Sequence, residues 1–251
     1  MSRWRREVHA LGIDATHLVA VGAAPLLVLE PPQTWTTEVL GQALRPWWQQ
    51  RGRGSWRVLV APDLCKHWTQ HPPAGLRSLD ELRQLTQLQA ARLFGAQPAD
   101  WQVQADWQLD QPFACVAMPT ALVSAWLECA HELKVSLQLE SALWVALRLA
   151  LDGRRAAGWT CWSTPGTNVM ARTDGRRVTA LRCLRHGLGS DPDAARQRLL
   201  ADLKQWRLVL SAPAAEPAIP AGQLPHWSAH ESEAHWALQL GRPPAVGAAS
   251  A

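Results

Sequence analysis

Tyrosine is absent from this 251-residue sequence and phenylalanine occurs only twice, whereas tryptophan occurs 15 times. Aromatic packing therefore falls almost wholly to indole rings. They are spread along the chain, at Trp4, Trp35, Trp56, Trp107, Trp144 and Trp206 for example. That spread reads as core and rim filling and not as a stacking or carbohydrate platform. The pair Trp47–Trp48 is the expected exception, because neighbours on a helix do not both turn inward easily. Cysteine is sparse and odd in number: Cys65, Cys115, Cys129, Cys161 and Cys183, with no C-x-x-C pair. This excludes a disulfide frame or a zinc knuckle and leaves reduced, mostly buried thiols. The longest apolar run, "LVAVGAAPLLVL" at 18–29, is broken by glycine and proline and is too short for a membrane helix. Arginines ahead of apolar sequence imitate a signal peptide, but Glu7, Asp14 and His17 interrupt it, so the expected location is the cytoplasm.

Familiar catalytic signatures are missing as well. There is no G-x-S-x-G elbow, no G-x-x-x-x-G-K-[ST] and no G-x-G-x-x-G. "HWSAHESEAH" gathers His226, His230 and His235 near Glu231 and Glu233, but the interval of five from His230 to His235 does not match H-E-x-x-H on one helix face. "KHWTQH" (66–71) reads as solvated side chains in a proline-bounded loop. The carboxylate pairs Asp80/Glu81 and Asp191/Asp193 suit helix N-termini better than acid–base work. The net charge of +4 is mild, and its densest basic clusters, "SRWRRE" and "RRVTALRCLRHG", do not form a stripe for a phosphate backbone. Nucleic acid is not an expected partner.

What is present is the composition of a globular protein: 47% apolar and 18% charged residues suffice for a real core. Residues 11–29 read as two strands, "ALGIDATHLVAV" and "PLLVLE", joined near Gly22–Pro25. A helix is expected over 36–50, with Pro46 marking its end or a kink. "RGRG" (51–54) is a loop, and 55–63 a buried strand ending at a proline. Ser78 and Glu81 form a capping box for a helix over 78–94, with Leu82, Leu85 and Leu88 or Ala91 on one face and Gly95 as its stop. Strands are expected over 99–110 and 112–119, a helix from Pro119, a short strand at "KVSLQLE" and an apolar helix closed by Gly153. Residues 158–184 read as three strands, turning at Pro165–Gly166 and at Asp174–Gly175. A helix capped by Asp191, a Pro/Ala link over 211–222 and a short helix at "ESEAHWALQLG" complete the chain. Alternating strands and helices with several hairpins imply mixed-sheet α/β lobes.

Two stretches could cradle a phosphate. One is the opening strand with Asp14 and Thr16. The other is "STPGTN" (163–168), a hydroxyl-rich turn holding Thr164, Gly166 and Thr167, where backbone N–H groups could form an anion nest. Each alone reads first as a plain hairpin. Their pairing, one at the start of each half, carries the phosphate reading.

The order of these elements resembles the PilM-type proteins of type IV pilus assembly, including the related MshI and GspL cytoplasmic domains, which share the actin-like fold of FtsA. The matching stretches are "LGIDATHLVAV", "SLDELRQLTQLQAARLFGAQPADWQVQADW", "FACVAMPTALVSAWLECAHELKVSLQLESALWVALRL", "DGRRVTALRCLRHG" and "HWALQLG". The resemblance implies an actin-like (ribonuclease H-like) α/β fold. Residues 1–62 and 140–155 would form the first lobe, 63–139 an inserted helix-and-strand subdomain, and 156–251 a reduced second lobe. It also implies a cytoplasmic protein held peripherally at the inner membrane by the cytoplasmic tail of a PilN-like partner. The family usually binds ATP between the lobes. By position, Asp14 and Thr16 fall in the first phosphate segment, and Thr164, Gly166 and Thr167 near the second. The first segment lacks the family's glycine and lysine, with Thr16 and Val21 in their places, and the second lacks its Asp-x-Gly. A Cβ where glycine faces phosphate blocks close backbone approach. The expectation is a degenerate relative that acts as a non-enzymatic scaffold without a cofactor. The alternative is a chain that still binds ATP and Mg²⁺.

Overall fold

The computed structural model describes residues 7–21, 25–30, 33–51, 54–95, 97–153, 158–163 and 166–185, with positions 197 and 201 in addition. Thr164, the three histidines of "HWSAHESEAH" and the elements expected after residue 190 lie outside the described residues.

The central sheet is built from β1 (Glu7–Ile13), β2 (His17–Ala20), β3 (Pro25–Val28), β4 (Gly54–Val60) and β8 (Ser136–Ser141), in the order β3-β2-β1-β4-β8. The first three form an antiparallel meander, while β4 runs parallel to both β1 and β8. A strand paired in parallel on both sides is covered on both faces, which is why "VLV" in β4 is continuously apolar and buried. The stretch expected as one strand over 10–21 is two, because Asp14 turns the chain back after Ile13.

Helix α1 (Thr37–Arg51) and helix α3 (Thr120–Glu132) cover one face of this sheet, and α4 (Ala142–Gly153) covers the other. Thr36 Oγ1 caps α1 by accepting the Val39 N–H at 3.3 Å. The helix neither ends nor stops at Pro46 but runs through it to Arg51, since the exposed ring meets solvent and Trp47, one residue on, is anchored in the core. Trp47 and Trp48 both pack inward, correcting the exception expected for them. They flank His9 edge-on at 5.7 and 5.5 Å, and Trp48 and Trp126 meet Trp56 in T-shaped contacts at 5.4 and 6.2 Å. The helix lies over a ridge of rings, so residues on either side of its contact line touch the same core.

Between β4 and α3 the chain forms β5 (Lys66–Gln70), α2 (Leu79–Phe94), a 3₁₀ turn (Pro98–Asp100), β6 (Trp101–Ala105) and β7 (Phe113–Pro119), with a three-stranded antiparallel sheet ordered β5-β7-β6. "KHWTQH" is thus an edge strand and not a loop, with His67 and Trp68 buried. Ser78 Oγ caps α2 through the Glu81 N–H at 3.1 Å, and the Glu81 carboxylate accepts the Arg77 N–H instead of closing the box on Ser78. Gly95 ends the helix at φ +68°. The buried face of α2 is Leu82, Thr86 and Ala90, whereas Leu85 and Leu88 are exposed. Thr86 tolerates burial because its hydroxyl donates to the Leu82 carbonyl at 2.7 Å.

A second three-stranded sheet, β9 (Gly158–Ser163), β10 (Thr167–Thr173) and β11 (Val178–Arg185), is the expected double hairpin. Asp174 closes the β10–β11 turn by accepting the N–H groups of Arg176 and Arg177 at 2.9 and 3.0 Å, with Gly175 at φ +90°. This sheet packs through Val169, Ala171, Val178 and Leu181 on Leu143, Ala146 and Leu147 of α4, which therefore joins both sheets. No helix among the described residues is long and apolar enough to cross a membrane.

Candidate functional site

Parallel strands bring chemistry to their carboxyl ends. Here three such ends converge: Asp14 follows β1, Asp63 follows β4, and Ser141 closes β8. Asp14 is 2% exposed. Its Oδ1 accepts the backbone N–H groups of Thr16 and His17 at 2.7 and 2.6 Å and the Thr16 hydroxyl at 3.2 Å. His17 Nδ1 lies 3.3 Å from the same oxygen. The Trp35 indole donates to the Asp14 carbonyl at 2.8 Å. Asp14 and Thr16 are thus brought together, with the carboxylate stapling its own turn. The Thr16 and His17 amides, which would face an anion in a phosphate loop, face that carboxylate.

The remaining amide of the turn is engaged too. Ala15 N–H donates to Asp63 Oδ2 at 2.9 Å, across 48 residues of sequence. Burial pushes the Asp63 carboxyl up to about 6. The Ala15 N–H lowers it, nearby Asp14 raises it, and the Leu64 N–H and Arg185 lower it further. Its other oxygen, Oδ1, is buried and has no hydrogen-bond partner among the described residues. A phosphate oxygen placed on the Ala15 N–H would displace the Asp63 carboxylate and lie beside that of Asp14.

The second segment reaches the same residue. Thr167 stands opposite Arg185 in the β10–β11 register, and the Arg185 guanidinium donates to the Asp63 carbonyl. Gly166, Thr167 and Asn168 are buried. Of the candidate residues, Asp14 and Thr16 share the turn that Asp63 braces, Thr167 is linked to Asp63 only through its strand partner Arg185, Gly166 precedes it at the start of β10, and Thr164 is outside the described residues. Asp63 and Arg185 were not singled out by sequence reading. The signal for Asp63 was its place directly after the proline that ends a buried parallel strand. Arg185 carries no local signal, because its role depends on how β11 packs against β5.

Beneath this region, His67 Nε2 and Ser141 Oγ lie 2.9 Å apart, and Ser141 also hydrogen-bonds the Cys65 thiol. Burial, reinforced by Arg185 and Lys66, holds His67 down to about 3, so its imidazole is neutral at physiological pH. Burial, then Asp63, pushes the Cys65 thiol well above its usual range, and burial raises Cys183 to about 12. Neither thiol offers a thiolate nucleophile at neutral pH. Among the described residues no group of three His, Cys, Asp or Glu could hold a metal ion.

A separate cleft of about 440 Å³ opens where the β6–β7 sheet, α4 and the β10–β11 turn meet. Its floor is Phe113, Trp144, Leu147 and Leu151, and its rim carries Asp106, Arg148, Arg176 and Arg177. Arg148 is paired with Glu140 at 2.5 Å, and Arg177 with Asp174 at 3.0 Å.

No family model matches the sequence, and no curated protein matches it. Solved structures do match by shape. A chain of a PilM–PilN type IV pilus biogenesis complex superposes with a TM-score of 0.51 at 15% identity, over 82% of this chain and 77% of that one. A Bacteroides thetaiotaomicron VPI-5482 protein with an actin-like ATPase fold and unknown function gives 0.52 at 6% identity, over 81% and 78%. The cytoplasmic domain of EpsL, an inner-membrane component of the type II secretion system of Vibrio cholerae, gives 0.48 at 10% identity, over 93% of each chain. The fold is α/β and actin-like, with Asp14 and Asp63 at the carboxyl ends of adjacent parallel strands in its ribonuclease H-like sheet.

Proposed function

We propose that this protein is a non-enzymatic cytoplasmic scaffold of a type IV pilus or type II secretion-like assembly machine. In this reading it binds the short cytoplasmic tail of a PilN-like inner-membrane partner and sits peripherally at the membrane through it. The observation that carries the reading is the actin-like fold shared with a chain of a PilM–PilN complex over most of both chains. The chemistry of the Asp14 region supports it, because its turn amides are occupied by carboxylates and its buried His67 and Cys65 are neutral. The seat for the tail is the cleft between the β6–β7 sheet and α4, whose apolar floor and charged rim suit an extended peptide with one or two apolar anchors.

A peptide copy of the partner's cytoplasmic N-terminus, titrated calorimetrically into the full chain, tests this directly. Saturable binding is expected. Leu151→Glu, a half-exposed cleft position, should weaken it about tenfold, as one charge placed against a buried apolar anchor costs on the order of 1.4 kcal/mol or more. Absence of binding by the unmodified chain rejects the scaffold reading. The alternative is an ATP-binding or ATP-hydrolysing protein that uses Asp14 and the 163–168 turn with Mg²⁺. Micromolar MgATP affinity that disappears in Asp14→Ala would establish it instead.

A further inference from the structure

The Asp63 carboxylate has an unusual combination of surroundings. It is half-buried, keeps its buried Oδ1 without a partner among the described residues, and directs Oδ2 at the one amide of the β1–β2 turn that Asp14 leaves open. One cation stands beside it: the Arg185 guanidinium donates to its backbone carbonyl and its charge acts on the carboxyl. A backbone N–H at the end of a parallel strand, with a guanidinium nearby, is the ordinary composition of an anion seat. In this chain the anion is a side chain.

We propose that Asp63 is a built-in plug: its carboxylate occupies the position on the Ala15 N–H that a phosphate group would take. The inference rests on reading the Asp14 turn as the phosphate-facing segment of an actin-like lobe, but not on the identity of any protein partner. With the plug in place the residues do not fit a nucleotide phosphate, because an entering phosphate must expel one carboxylate and then sit beside Asp14. Two anions a few ångströms apart repel, and the buried Asp14 carboxylate is poorly screened by water. The plug also joins the two halves of the site. One residue takes the Ala15 amide through its side chain and the Arg185 guanidinium through its carbonyl. The seat is therefore held in its filled geometry without a ligand.

The test uses the full chain and two probes, inorganic pyrophosphate and MgATP, read by calorimetry and by the Ala15 amide resonance in a ¹⁵N spectrum. The unmodified protein should bind neither probe measurably at millimolar concentration. Asp63→Ala should gain at least tenfold in pyrophosphate affinity. Its Ala15 resonance should move when the carboxylate is removed and return toward the original position as pyrophosphate is added. Asp63→Asn, which keeps an oxygen on the Ala15 N–H, should leave that resonance near its original place, and Asp63→Ser serves as the unplugged variant if alanine prevents folding. Two results overturn the proposal. One is MgATP binding by the unmodified protein that weakens in Asp63→Ala, which would make Asp63 part of a nucleotide site. The other is a folded Asp63→Ala or Asp63→Ser with no gain in pyrophosphate affinity, which would make the contact a turn brace only. A missing gain in pyrophosphate affinity leaves the partner-tail titration untouched, and a failed tail titration leaves the pyrophosphate result untouched, so the failure of this proposal and that of the scaffold reading are distinguishable.

Discussion

Asp63 carries a charge where the surroundings favour a neutral carboxyl. Its folded pKa of about 6 lies above its ordinary 3.8, so the folded chain binds the proton more tightly than the unfolded one. Stability is then highest below the ordinary value, falls as the pH rises through the window from about 4 to 6, and stays reduced above it. Asp63→Asn removes that dependence while keeping an acceptor for the Ala15 amide. The variant should be more stable than the unmodified protein at pH 7.5 by about 1–3 kcal/mol. The difference should shrink toward zero at pH 4, as followed by thermal unfolding across that range. A pH-independent difference would mean that the burial penalty lies elsewhere. Residues of this kind escape sequence reading for a physical reason. Asp14 and Thr16 could be singled out because a carboxylate two residues before a hydroxyl in an apolar run is a local pattern. Asp63 meets Ala15 across 48 positions, and His67 meets Ser141 across 74.

Elements were legible where their signals are local. Ser78, Gly95 and the Asp174–Gly175 turn act where the sequence marks them. Three of the misses share a cause: tertiary burial outweighed composition. Polar "KHWTQH" became β5 because its His67 and Trp68 are covered. In α2, Thr86 and Ala90 took the inner face from Leu85 and Leu88, because a small residue and a self-satisfied hydroxyl let the helix approach a sheet whose Trp68 and Trp101 already pack on its own Phe94. Helix α1 continues through Pro46 for the same reason: the rings of Trp47 and Trp48 on Trp56 hold its last turn against the missing hydrogen bond. Pro46 is exposed, so Pro46→Ala restores a helical N–H without disturbing packing. It should raise stability by about 1–2 kcal/mol, less than the full ~3 kcal/mol propensity difference because proline also restricts the unfolded chain. Urea unfolding measures this, and an unchanged or lower midpoint would show that the ring itself packs usefully in the groove beside Glu38 and Glu132.

At the scale of the molecule, the resemblance in element order carried further than any single motif, because the sequence of strands and helices fixes which carboxyl ends adjoin. It did not reveal how the second sheet is attached. That attachment runs through α4, whose Leu143, Ala146 and Leu147 support β10 and β11, and through Arg185, whose guanidinium reaches back to the Asp63 carbonyl. The apolar contact is extensive, whereas the Arg185 contact is that of one side chain, so the two make separable contributions. Removing Arg185 should leave the sheet folded on α4 but free its outer end beside Thr167 and Asn168. Arg185→Gln is therefore expected to leave global stability within about 1 kcal/mol, the usual size of one partly exposed charged contact. It should nevertheless increase hydrogen-exchange rates of amides at the Thr167 end of β10 and the Arg185 end of β11 several-fold, with β1 and β4 unchanged. Because Arg185 also helps keep His67 neutral, the imidazole should titrate at a higher pH in this variant, a shift readable from its ring proton resonances. Uniform acceleration of exchange through both sheets would instead show that the polar contact holds the halves together and that α4 alone does not.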